Sequence, residues 1–198
     1  MAISASLVKD LRERTGAGMM ECKKALAETN GDIEQAIDLL RKQGAARAAS
    51  KAGRTAAQGI VYSYIHPGDQ IGVLLELDCE TDFVARTDPF RELAKHLAMQ
   101  VAATNALAVD REGLDAAYLE RERRIALEQA RATGKPEAVL QKIVDGKIEK
   151  LYEEVCLMEQ PFIRDPERKV KDLVHEAVLK IGEHIVVRRF AKFRVGEN

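Results

Sequence analysis

At residue 59 the pattern of this chain changes, and the change limits the folds open to it. Before that point the apolar residues recur at helical spacing. After it, Ile60–Ile65 (IVYSYI) and Ile71–Leu77 (IGVLLEL) are β-branched and aromatic runs, the composition of strands. Between them His66-Pro67-Gly68-Asp69 is a turn sequence, so the pair reads as an antiparallel hairpin with a loop longer than two residues. Helical spacing then returns until His184–Val195 (HIVVRRFAKFRV), which reads as a third strand. Helices placed between the second and third strands predict an α+β class with a three-stranded antiparallel sheet.

The helical stretches have legible ends. Ser4 caps a first helix with Leu7, Val8 and Leu11 on one face, and the glycines of Thr15-Gly16-Ala17-Gly18 break it. A second helix carries Met19, Cys22, Ala25 and Leu26, and Asn30-Gly31 ends it. Asp32 caps a third helix with Gln35 three residues on, the pattern of a capping box, and Ile33, Ala36, Ile37 and Leu40 form its apolar stripe. Residues 1–50 are therefore expected to form a three-helix module, 51–58 a linker and 59–198 an α+β core domain. Within that core, Pro89–Ala103 and Lys169–Ile181 read as amphipathic helices. Leu114–Ala132 and Glu137–Glu154 read as an αα-hairpin joined by Thr133-Gly134-Lys135-Pro136.

Charge and cysteine content narrow the function classes. The net charge is −1, so no global basic field points to nucleic acid. Arg47, Lys51 and Arg54 are basic, but no aromatic residues are interleaved with them, which favours a solvated linker over an RNA site. Cys22, Cys79 and Cys156 form no CxxC and are odd in number, so buried reduced thiols are expected rather than a disulfide framework or a zinc site. No basic region followed by an apolar run opens the chain, and no stretch approaches the roughly 18 apolar residues that span a bilayer. A cytoplasmic location is the resulting expectation.

The usual carriers of chemistry are missing from the sequence. It has no GxxxxGK[ST], no GxGxxG after a strand, no GxSxG and no HExxH, and its four histidines are scattered. No catalytic residue, cofactor or resident metal is expected. One segment stands out. Asp78-Cys79-Glu80-Thr81-Asp82-Phe83 puts three carboxylates and a large aromatic at the end of a strand. Two readings are open. Asp82 or Thr81 caps a helical turn while Phe83 plugs the core, or Phe83 and Asp82 protrude as a wedge for a crevice in a partner.

Three motifs bear on that choice: TGAGMMECKKAL at 15–26, ETDFVAR at 80–86 and EQPFIRD at 159–165. Together they resemble the signatures of the elongation factor Ts family, and the likeness runs along the whole chain. The resemblance implies a guanine-nucleotide exchange factor that binds the GTPase elongation factor Tu and speeds GDP release during translation elongation. It implies no bond-making chemistry. Thr81, Asp82, Phe83 and Val84 would lie against the GTPase domain and disturb its magnesium site. The first fifty residues resemble a ubiquitin-associated-like module, in which Leu11, Arg12, Met19 and Met20 would touch the same domain. Many family members carry two similar core subdomains, whereas 198 residues leave room for one. The chain thus resembles the short form, which implies a homodimer and a two-plus-two complex with elongation factor Tu.

Two rivals make different predictions. An adaptor built on the helical module would leave nucleotide release unchanged. An enzyme using the carboxylates of 76–88 would hold a metal or a small molecule there, but no His or Lys pair stands near them in sequence.

Overall fold

The computed structural model describes residues 3–197. Its class is α+β, with N-terminal helices, a three-stranded antiparallel sheet and further helices. In chain order the elements are α1 (Ala5–Thr15), α2 (Met19–Glu28), α3 (Ile33–Lys51), β1 (Gln58–Ile65), β2 (Ile71–Cys79), α4 (Asp82–Ala85) and α5 (Asp88–Ala103). They continue with α6 (Ala116–Arg131), α7 (Glu137–Val155), β3 (Pro161–Phe162), β4 (Asp165–Lys169), α8 (Val170–Ile181) and β5 (Val186–Arg194). The main sheet has the order β1-β2-β5, so the last strand joins the hairpin as expected.

The chain divides into two compact units. The first comprises Met1–Tyr62, Leu75–His96 and Lys171–Arg188; the second comprises Ser63–Leu74, Leu97–Val170 and Arg189–Asn198.

In the first unit the helix caps act as the sequence predicts. Ser4 Oγ accepts from Leu7 N–H at 3.2 Å and opens α1. Gly16 closes it at φ 66°, a left-handed conformation that costs glycine little. The predicted capping box at α3 is only half formed. Asp32 accepts from Gln35 N–H at 2.9 Å, but its own N–H goes to Thr29 O, and the Gln35 amide folds onto the Asp32 carboxylate instead. Val8, Leu11, Cys22, Ala25, Leu26, Ala36 and Leu40 form one buried cluster, and Leu179 of α8 belongs to it. The first three helices therefore do not close their core alone. Gly44 shows why α3 and α8 can approach: a Cβ there would lie 3.2 Å from the His175 carbonyl oxygen.

The stretch expected to be a linker is tied down within this unit. Lys51 Nζ donates to Gly182 O, Arg54 Nη1 lies 3.4 Å from Glu80, and Arg188 Nη2 donates to Ala56 O at 3.4 Å.

In the second unit α6 and α7 make the predicted αα-hairpin, with Gly134 at φ 68° in the connection. Ala126, Ala130, Leu140, Val144, Ile148 and Tyr152 line its interior. Arg111 bonds Glu149 through both terminal nitrogens at 2.9 Å and lies 4.5 Å over the Tyr152 ring.

The small β3–β4 pair was not anticipated from the sequence, because Pro161 and the charged run DPERK show no strand alternation. A buried polar network holds this region. Gln100 is 0% and Gln160 2% exposed. Gln100 donates to Gln160 Oε1 and to Pro161 O, both at 3.0 Å, and accepts from Ile163 N–H at 2.9 Å. Gln160 in turn donates to Glu154 O at 2.7 Å, and Thr104 donates to Gln160 at 2.9 Å. Buried amides satisfied in this way specify one arrangement, since losing any partner strands the others in a dry interior. Gln160, Pro161 and Ile163 of the EQPFIRD motif thus take part in this packing.

Candidate functional site

Both candidate surfaces lie in the first unit. The first is the turn that follows β2. Thr81 is the N-cap of α4: its backbone is extended, and its Oγ1 accepts from Val84 N–H at 3.3 Å. The four-residue helix that follows turns Phe83 outward and Val84 and Ala85 inward. Phe83 is 76% exposed, while Val84 is buried at 7%. Of the two sequence readings, the cap is correct and the core plug is not. The inward places on this single turn are taken by Val84 and Ala85, so the ring is left in solvent. Val84 accordingly anchors the turn and is covered in the free protein, unlike Thr81, Asp82 and Phe83, which are exposed.

Each of the three carboxylates here has a partner. Asp78, buried at 9%, accepts from Arg188 Nε at 2.8 Å. Glu80 accepts from His184 N–H at 2.6 Å and faces Arg54, and the hydrogen bond from His184 above all holds its carboxyl below the usual range. Asp82 pairs with Arg86 Nη2 at 2.7 Å one helical turn on. Carboxylates turned to their own arginines and backbone are not arranged as a cation site. Among the described residues no group of three or more His, Cys, Asp or Glu is placed to hold a metal ion. The cysteine beside them, Cys79, is buried, and burial pushes its thiol up to about 11.

No motif marks the residue that grips this turn. Glu183, between α8 and β5, accepts from Glu80 N–H at 3.0 Å, Thr81 N–H at 3.1 Å and Thr81 Oγ1–H at 2.6 Å. The third strand was expected to begin at His184, but β5 starts at Val186. His184 serves the turn instead: its N–H goes to Glu80, and its Nδ1 lies 2.8 Å from Arg54 O.

The second surface is a groove of about 600 Å³ along α1 and α2, lined by Val8, Lys9, Arg12, Met19, Met20 and Lys23 among others. The TGAGMMEC segment builds it. Thr15 Oγ1 accepts from Ala17 N–H at 3.3 Å, and Glu21 reaches back to Gly18 N–H at 3.2 Å while pairing with Arg47 at 2.7 Å. With Cys22 and Ala25 taking the inner face, Met19 and Met20 stand 60% and 74% exposed. Methionines at such exposure form an adaptable apolar surface, and Lys9, Arg12 and Lys23 give it a positive rim. Leu11 does not belong to this surface. It is fully buried, because it sits on the face of α1 that packs into the helical core, so the assignment of Leu11 as a contact is corrected.

Comparison with known proteins identifies the family. The family described as Elongation factor TS matches residues 4–197. The chain is 58% identical over 195 residues to Elongation factor Ts of Thermoanaerobacter sp. (strain X514), covering 98% of this chain and 96% of that one. It is 57% identical to Elongation factor Ts of Caldanaerobacter subterraneus subsp. tengcongensis, with 98% of both chains covered. It is 56% identical over 197 residues to that of Thermodesulfovibrio yellowstonii, covering 100% of this chain and 98% of the relative. Matched along nearly its whole length at this identity, the chain belongs to the elongation factor Ts family.

Proposed function

We propose that this protein is a guanine-nucleotide exchange factor that binds elongation factor Tu·GDP and accelerates GDP release in the cytoplasm during translation elongation. The observation that carries the reading is Phe83: an aromatic ring 76% exposed on a clamped turn, inside the ETDFVAR segment. A ring left in water at the tip of a rigid element is poised to gain free energy by entering a crevice.

In this mechanism the turn 81–84 approaches the part of the GTPase that holds magnesium and phosphate. Phe83 enters between elements of that domain. Asp82 exchanges Arg86 for positive or hydrogen-bonding groups of the partner. That exchange is cheap, because both members of the Asp82–Arg86 pair are exposed and such pairs contribute about 0–1 kcal/mol. Arg12, Met19 and Met20 of the helical module, residues 1–50, give a second contact. No bond is made or broken by this chain. Magnesium and the phosphate loop of a GTPase retain its nucleotide, so disturbing either raises the off-rate. The coupling is reciprocal: whatever factor weakens GDP also weakens this protein when GDP is bound. An acceleration of about 10⁴ requires about 5.5 kcal/mol of barrier. The exposed part of the Phe83 ring supplies about 1.1–2.3 kcal/mol, so a broad interface that favours the open GTPase must supply the rest.

The second unit carries a different surface. Ile65, Leu74, Phe193 and Val195 are exposed there at 59%, 47%, 66% and 67%. We assign these side chains to a homodimer contact, which leads to a two-plus-two complex.

The test is release of a fluorescent GDP analogue from elongation factor Tu with catalytic amounts of this protein. A rise in off-rate of about 100-fold or more, equivalent to about 2.7 kcal/mol, is expected. No acceleration by folded protein would overturn the proposal.

A further inference from the structure

The grip on the Phe83 turn comes from a residue that no motif singled out. Gly182, at φ 87°, ends α8 and delivers Glu183 to the start of the turn. Glu183 Oε2 accepts from Glu80 N–H and Thr81 N–H at 3.0 and 3.1 Å, and Oε1 accepts from Thr81 Oγ1–H at 2.6 Å. Glu80 Oε1 accepts from His184 N–H at 2.6 Å in return. Segments 80–81 and 183–184 thus exchange carboxylate-to-backbone bonds, which are shorter and stronger than neutral ones. One consequence is directional. The Thr81 hydroxyl hydrogen points at Glu183, which leaves an oxygen lone pair for Val84 N–H, and that cap sets α4 with Phe83 facing out.

We propose that Glu183 is a positioning residue for nucleotide exchange: it locks the peptide at 80–81 so that Phe83 is presented in its binding orientation before the partner arrives. The proposal rests on the reading of Phe83 as the inserted ring. Thr81 is exposed, so water can replace the lost acceptor when Glu183 is removed and the fold can survive. What is lost is preorganisation: the turn samples other conformations, and binding must first restore the productive one.

The experiment is a double-mutant cycle on GDP-analogue release from elongation factor Tu at protein concentrations well below saturation, with Glu183→Ala and Phe83→Ala made singly and together. Glu183→Ala alone should slow release about five- to fifty-fold, up to the loss expected from removing the ring itself. In the Phe83→Ala background it should cost less than about two-fold more, because there is no ring left to position. Glu183→Gln should recover most of the rate, since its amide oxygen can accept both N–H groups and its amide nitrogen can donate to Thr81 Oγ1. If Glu183→Ala loses its circular dichroism spectrum, Glu183→Asp replaces it in the cycle, keeping the charge but withdrawing the carboxylate by one methylene. Equal costs of removing Glu183 in both backgrounds would show a general structural role and overturn the proposal. A normal rate for Glu183→Ala beside a slow Phe83→Ala would overturn it while leaving the inserted ring intact. A normal rate for Phe83→Ala would remove the underlying reading itself, and the proposal with it.

Discussion

Replacing Phe83 with alanine should reduce exchange far more than stability, and the structure sets both magnitudes. The residue is 76% exposed, so about a quarter of it is covered in the free protein. Full burial of a Phe side chain is worth about 1.5–3 kcal/mol. The covered quarter then contributes about 0.4–0.8 kcal/mol to folding, and the remainder, about 1.1–2.3 kcal/mol, is available to a partner. At about 1.4 kcal/mol per tenfold, Phe83→Ala should weaken partner engagement about 6- to 50-fold. The melting temperature of a chain this size should fall by only about 1–3 °C. The assay pairs a thermal melt with a titration of GDP-analogue release against protein concentration. A release curve within two-fold of the parent protein would refute the claim that the ring inserts. A melting temperature lowered by more than about 6 °C would refute its placement in solvent.

Three other expectations can be checked directly. At Gly59, φ is 153°, and a Cβ would overlap the Leu77 carbonyl oxygen and lie 2.7 Å from Asp78 Cα. Gly59→Ala should therefore destabilise the protein by about 2–4 kcal/mol in urea titration, and an unchanged midpoint would contradict the close approach of β1 to β2. Cys22, Cys79 and Cys156 are all buried, and burial pushes the Cys79 and Cys156 thiols from 9.0 to about 11. Native protein should be inert to a thiol reagent at pH 8. As pH rises from 9 to 11, the unfolded chain releases thiol protons that the folded one retains, so stability should fall across that window, and a flat profile would count against the burial. Phe193→Glu places a charge among exposed apolar side chains of the second unit. It should convert a dimer to a monomer by light scattering at micromolar concentration, whereas a parent protein of monomer mass would end the dimer assignment.

Much of this fold is written locally. The helices declare themselves because core-facing residues must recur every 3.6 positions, and their ends because Ser4 and Asp32 satisfy N–H groups that a helix leaves open. The hairpin and the third strand follow from β-branched runs. The site was legible as a place: three carboxylates and an aromatic within six residues depart from any routine strand end. Its orientation was not legible. Periodicity gave no basis for deciding whether Phe83 or Val84 faces inward on a turn of four residues, and it placed Met19 on the same stripe as Cys22. Leu11 and Arg12 are neighbours in sequence, yet one is core and the other surface.

The division has a physical cause. Local periodicity and capping constrain neighbours a few residues apart, so the sequence by itself determined which segments become helices and strands and where most of them end. The partners of polar groups are chosen in three dimensions. Glu183 is 102 residues from Thr81, Gln160 is 60 from Gln100, and Leu179 of α8 completes the core of the first three helices. No spacing rule links such pairs, because they meet only after the elements have packed. Tertiary structure alone therefore decided that the β3–β4 pair forms, that the segment after α3 is bound rather than loose, and that Phe83 is held out into solvent.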